Sequence, residues 1–293
     1  MPTNFTPSAP EFTHNVYSLK SAHKNRLFEL DSDSINTLYQ GIPTSDKLTG
    51  IELRLKNVMI KDNKTPRVFP FPGNASFYLI VVTIDNTTGQ PKEFALNGFR
   101  GIGDNTFLEI NRTIYYWNED NKPSSKYPNQ IHSHILIYKS KKGLRDTAKL
   151  IKNLKGSSEY GNIISNLGKL ISNPASVAVS AISSIAVELG TLIGSALENI
   201  EDRPHYSRVA SFTDIAGNFD QLGEHIYADE YPNDNASCDL ALFIRDRERE
   251  EKVLDYLKKQ QSKEKHISAI DRAPMPSIAQ IKNNLTLGKK SYT

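Results

Sequence analysis

Residues 77–84 read FYLIVVTI, a run without charge that is apolar on both faces of any strand it forms. A strand half exposed to water alternates, so an unbroken apolar run predicts a central, fully buried strand that anchors its sheet. Pro72-Gly73 before it and residues 86–89 after it carry turn chemistry. Upstream, Ile51, Leu53 and Leu55 alternate with Glu52, Arg54 and Lys56, the period-two pattern of a half-buried strand. Downstream, strands are expected at 93–96, 106–110, 113–117 and 131–138, separated by loops rich in Gly, Asn and Pro. That spacing is the spacing of an antiparallel β-sandwich.

After Ser140 the period changes to about 3.6 residues, the repeat of a helix. Leu144, Ala148, Ile151 and Leu154 form one stripe, residues 160–171 a second helix, and Asn173-Pro174 is a start signal for a third that runs to Ile200. Strand patterns return at 224–231 and 238–244, joined by a turn at 232–235. Residues 245–261 alternate charges, with Glu248 four before Lys252 and Asp255 four before Lys259, as in a solvated helix. The expected fold is mainly β: an antiparallel sandwich (49–139 and 222–245) interrupted by a helical insertion (140–221). A polar N-terminal arm (1–48), a C-terminal helix (246–262) and a C-terminal tail (263–293) complete the chain.

The order IELRLKNVMIKD, FYLIVVTID, EFALNGFRGIGDNTFLEI, HSHILIYKS and CDLALFIRD resembles that of C2-type sandwiches. The resemblance is one of pattern and spans roughly 49–245 with the helices inserted. C2 domains commonly dock on phospholipid through calcium held by loop aspartates. Here the segment after HSHILIYKS is KKGLRD, basic where acidic ligands belong, so the resemblance implies surface binding without calcium.

Composition narrows the function classes. The chain has 293 residues, 36 basic against 33 acidic side chains, and a net charge of +3. No dominant basic field exists, which argues against nucleic acid as partner. Cys238 is the one cysteine, so neither an intrachain disulfide nor a multi-cysteine metal site is possible. Residues 1–20 contain no apolar core of signal-peptide length, so a cytoplasmic location is expected, with membrane association as the variant.

The unusual segment lies in the third helix. No charge occurs from Leu170 to Val187, and only Glu188 and Glu198 interrupt the run to Ile200. Ile182, Ile185, Leu189, Ile193 and Ile200 form an apolar stripe, while Ala186, Gly190 and Gly194 form a line of small residues that admits a second backbone. Just upstream, Lys141, Lys142, Arg145, Lys149, Lys152 and Lys155 make a basic helix face suited to an anionic surface. The leading expectation is a non-catalytic interaction or assembly protein, homo- or hetero-oligomeric, contacting other subunits through the insertion and its terminal arms. The alternative is a membrane-binding, pore-forming protein that docks through the basic helix and inserts the apolar one.

Chemistry of other kinds is sparse. His132 and His134 share one face of a strand, and with His225 they would hold a metal if their strands paired, the basis of a remote metallohydrolase reading. Asp229, Glu230, Asp234 and Asp239 lack the spacing of a calcium loop. Cys238 starts an alternating strand and reads as core. No catalytic residue, cofactor or metal ligand is assigned.

Overall fold

The computed structural model describes residues 39, 41–68, 73–95, 98–119, 127–140, 144–172, 179–198, 202–230 and 232–266. The protein is mainly β, two antiparallel sheets with a helical insertion and a C-terminal helix. One sheet has the order β5-β1-β9-β8, formed by β5 (Thr106–Asn118), β1 (Gly50–Ile60), β9 (Ala236–Arg245) and β8 (Gly223–Tyr227). The other has the order β3-β2-β6-β7, formed by β3 (Lys92–Ala95), β2 (Ala75–Asp85), β6 (Gln130–Lys139) and β7 (Arg203–Thr213). A short β4 (Phe99–Ile102) also pairs with β2.

The alternation of each strand explains the layers. Ile51, Leu53 and Leu55 of β1 meet Phe77, Leu79 and Val81 of β2 and Ile135 and Ile137 of β6 in the core between the sheets. The opposite face of β2, with Tyr78, Ile80, Val82 and Ile84, joins Leu136 and Tyr138 of β6 in a second core beneath the helices. Residues 77–84 therefore face apolar neighbours on both sides, which is why the run does not alternate. The helices are α1 (Leu144–Leu154), α2 (Ser158–Ser172) and α3 (Val179–Glu198). α3 is the hub of its layer: it touches α1, α2, β2, β6 and β7.

Several boundaries differ from the sequence reading. The expected strands at 106–110 and 113–117 are one strand, β5, which passes through Asn111 at φ 43° beside a shift in register with β1. Such a bulge adds local twist without ending the ladder. The helical insertion closes sooner than expected, because Arg203–Thr213 is β7 and pairs with β6 along its length. Its buried row is Tyr206, Ala210 and Phe212 with Arg208 between them, so the apolar half of the period-two signal is thin. Of the expected arm, Tyr39, Ile42 and Leu48 are buried, and Ile42 and Thr44 exchange backbone hydrogen bonds with Leu222 and Asp220. The remainder of that arm and the tail beyond 266 lie outside the described residues.

The C-terminal helix, α4 (Arg247–His266), begins at a buried cap. Asp246 Oδ1 accepts from the Arg249 amide (3.2 Å) and Oδ2 from the Ser45 amide (2.6 Å). The expected Glu248–Lys252 pair is present at 2.5 Å on its exposed side.

Candidate functional site

Each half of the unusual helix has a defined place. Ile182, Ile185, Ala186, Leu189, Ile193 and Leu197 of α3 are buried on the outer face of the β2–β6–β7 sheet, with Ile163 and Leu167 of α2 beside them. Fully burying large aliphatic side chains is worth ~1.5–3 kcal/mol apiece, about 10 kcal/mol in total before the entropy of ordering the helix is subtracted. The apolar stripe thus packs on the chain's own sheet.

The small-residue line serves the same contact. A Cβ at Gly190 would fall 1.9 Å from His134 Nδ1, and one at Gly194 would fall 2.7 Å from the Tyr138 hydroxyl. His134 and Tyr138, four apart on β6, project from one face of the strand, and the two glycines, four apart on α3, are the notches that receive them. The second backbone that the line admits is replaced by two strand side chains.

His134 is held at both nitrogens. The Ala186 carbonyl can only accept, so Nδ1 carries the proton and donates to it (3.4 Å), while Nε2 accepts from Ser207 Oγ (2.8 Å). His132, fully buried, hydrogen-bonds Ser211 Oγ through Nδ1 (2.9 Å) and Gln130 Oε1 through Nε2 (3.4 Å). Burial pushes both imidazoles down, His132 to about 4, so neutral rings occupy the seat. Near the C-terminal end of α3, Tyr78 stacks on Tyr138 with ring centroids 5.9 Å apart and donates to Asp202 Oδ2 (2.8 Å).

The opposite face of α3 meets water with Ser180, Ser184, Val187, Glu188, Thr191, Ser195 and Glu198 exposed. Ser184 and Thr191 bond back to the carbonyls of Ser180 (2.7 Å) and Val187 (2.9 Å), so their hydroxyls are satisfied within the helix. α2 exposes Ser158, Glu159, Gly161, Asn162, Ser165, Asn166, Lys169 and Ser172. Between the two helices runs a groove of about 570 Å³ with Ile163 and Leu192 among its lining and Glu159, Asn162, Glu188, Thr191 and Ser195 around them. This groove has no counterpart in the sequence reading, since it depends on how two amphipathic helices lie side by side.

Of the basic face, Lys149, Lys152 and Lys155 are exposed on and just beyond α1, and Arg145 lies on its first turn. Lys141 and Lys142 fall outside the described residues. The three-histidine arrangement is not formed. β6 and β8 belong to different sheets, and His225 Nε2 contacts the Gln221 carbonyl (3.0 Å). Among the described residues no group of three or more His, Cys, Asp or Glu is placed to hold a metal. Compared with protein families and with curated proteins, the chain matches none.

Proposed function

We propose that the protein is a non-catalytic interaction or assembly protein whose sandwich presents the α2–α3 face to another protein subunit. The observation that carries this reading is the chemistry of that face. Solvated helices usually carry Lys, Glu and Arg on their outer side. Here small uncharged polar groups predominate, and short side chains lose little rotamer freedom when a partner covers them. The groove between Ile163 and Leu192 adds an apolar centre with a polar rim, the composition of a protein contact. A C2-like arrangement of the sandwich, and a cytoplasmic setting for the chain's buried thiol, belong to the same proposal. Sedimentation of the whole chain over a range of concentrations tests it, with Asn162→Arg and Ser195→Arg placing a long charged side chain on each wall. Association that both variants abolish supports the reading; a mass of one chain throughout, unchanged in the variants, overturns self-assembly through this face.

A second reading, membrane binding with insertion, is supported by α3 itself. Its 20 residues have a mean hydropathy of 1.5 over the most apolar window, long and apolar enough to cross a bilayer. The back-bonded hydroxyls of Ser184 and Thr191 need no water, and Lys149, Lys152 and Lys155 stand nearby to meet anionic lipid. Flotation with phosphatidylserine vesicles tests this reading; no flotation under any condition in which α3 is free removes it.

A further inference from the structure

We propose that His134, with His132 two residues away on the same face of β6, forms an acid-sensitive seat for α3, and that charging the seat releases the helix onto an anionic bilayer. The inference rests on the second reading above and adds its trigger.

The geometry carries the argument. His134 lies wholly between β6 and α3: Gly190 closes on its ring, the Ala186 carbonyl takes its Nδ1 proton, and Ser207 of β7 covers Nε2. Its strand neighbours are Val82 of β2 and Val209 of β7. His132 sits two residues away between Ile84 of β2 and Ser211 of β7, with Gln130 on its own strand. Among the described residues, the influences on the rings are burial and, at His134, the helix carbonyl. Among the described residues, the titratable groups in the same layer include the phenols of Tyr78, Tyr138 and Tyr160, and the acids Glu198 and Asp202 stand beyond them, where α3 ends. Glu188 of α3 is exposed, away from the seat.

A buried cation without a counter-charge is the arrangement that a low-dielectric interior tolerates least. Opening the helical layer gives the His134 ring water, because α3 supplies the carbonyl and the glycine that close on it. Burial holds the His134 ring below the ordinary histidine value, so lowering the pH to about 5 shifts the balance toward the open layer, by at most roughly 30-fold for one histidine of ordinary value about 6.5. The released helix is the segment of membrane-spanning length, and α1 brings its lysines with it.

Hydrogen exchange of the full chain at pH about 7 and about 5, corrected for intrinsic rates, reads the trigger separately from the membrane. Amides of 179–198 are expected to lose protection by several fold, up to roughly 30-fold for one ring, at the lower pH while β1 and β2 keep theirs. The His132→Asn/His134→Gln variant, neutral at both pH values, should hold α3 within a few fold; a wild-type profile through intermediate pH gives the midpoint should that variant fold poorly. Protection of α3 that does not change with pH in the wild type overturns the seat. Flotation with phosphatidylserine vesicles, expected at pH about 5 and not at about 7, reads the bilayer. Acid opening without flotation overturns the membrane part and leaves the histidine seat standing.

Discussion

Gly190 of α3 and His134 of β6 lie so close that a Cβ on the glycine would sit 1.9 Å from Nδ1 and 2.5 Å from Cε1 of the ring. Helix and strand are therefore matched side chain to notch. The lack of a Cβ at Gly190 makes room on the helix surface for an imidazole, and the imidazole in turn donates to the helix carbonyl at Ala186. The contact is at once a packing device and a buried polar one, so its stability depends on both volume and charge.

Volume gives the first prediction. Gly190→Ala inserts a methyl group where the enclosed ring has little freedom to move, and overpacking of that kind costs about 1–3 kcal/mol. The better helix propensity of alanine returns at most about 1 kcal/mol, so net loss is expected. Among the described residues, nothing beyond their own helix backbone and chain neighbours lies within 4 Å of where a Cβ on Gly161 or Gly168 of α2 would sit. Alanine at either should stabilise by about 0.5–1 kcal/mol. Urea denaturation of the three variants decides the matter; equal stability of Gly190→Ala and Gly161→Ala would contradict the tight seat.

Charge gives the second, and two groups oppose each other. His132 is depressed to about 4 by burial. Its contribution is complete above the ordinary histidine value of about 6.5 and is lost as pH falls toward 4, about 2 kcal/mol by pH 5. Glu52 on β1 is pushed up to about 7, because burial outweighs the hydrogen bonds from Arg54 (2.6 Å) and Thr113 (2.5 Å) that both fall on Oε1. Oε2 is buried without a hydrogen-bond partner. A raised carboxyl stabilises the fold below its unfolded value of about 4.5, and that contribution disappears as pH rises to 7. Thermal unfolding against pH should fall on both sides of a maximum. Glu52→Gln is expected to flatten the alkaline limb and His132→Asn the acid limb; parallel displacement of the whole curve by either would refute the assignment.

The sandwich was legible because both of its signals are strong: alternation at Ile51, Leu53 and Leu55, and the two-sided run at 77–84. β7 was not legible, because Arg208 breaks its buried row of Tyr206, Ala210 and Phe212, and its exposed side carries Ser207, Val209 and Ser211, of which the serines pair with the histidines of β6. The same pairing hid the role of the histidines. His132 and His134 share a face as expected, yet what they meet is a helix distant in sequence, and pairing with β8 would have required a different sheet order. Ala186, Gly190 and Gly194 stood out as small residues, but periodicity reports that something approaches and not whether it is a helix or a strand's side chains. Glu159 and Glu188 belong to one groove only because α2 and α3 lie side by side.

A third prediction concerns the start of α4. Asp246 is fully buried and its two oxygens serve the Arg249 and Ser45 amides, so it caps the helix and ties in the segment before β1. Asp246→Ala should cost about 2 kcal/mol, combining a lost cap with a part-buried amide left without its acceptor. Asp246→Asn keeps an oxygen for the helix and should recover part of the loss. Circular dichroism would register fraying of α4 in the alanine variant; unaltered helix content and stability would count against the cap.

The fourth prediction arises where β7 of one sheet approaches β9 of the other. The Tyr206 hydroxyl donates to Asp229 Oδ2 and lies 3.4 Å from Cys238 Sγ, while Arg208 donates to the carbonyls of Cys238 and Ala228. These bonds join the two sheets across the side of the sandwich. Burial pushes the Cys238 thiol up to about 11, so little thiolate exists at neutral pH, and its sulfur is covered in the folded state. Native protein should resist alkylation by iodoacetamide and react fully in urea. Tyr206→Phe removes the donor to Asp229 and leaves a buried carboxylate oxygen short of a partner, at a cost of about 1–3 kcal/mol. Because the loosened place is the one that shields Cys238, the variant should also label faster under native conditions, whereas a variant loosened at the helical layer, such as Gly190→Ala, should not. Equal labelling rates in the two variants would mean that opening at the sheet edge and opening of the helices are a single event.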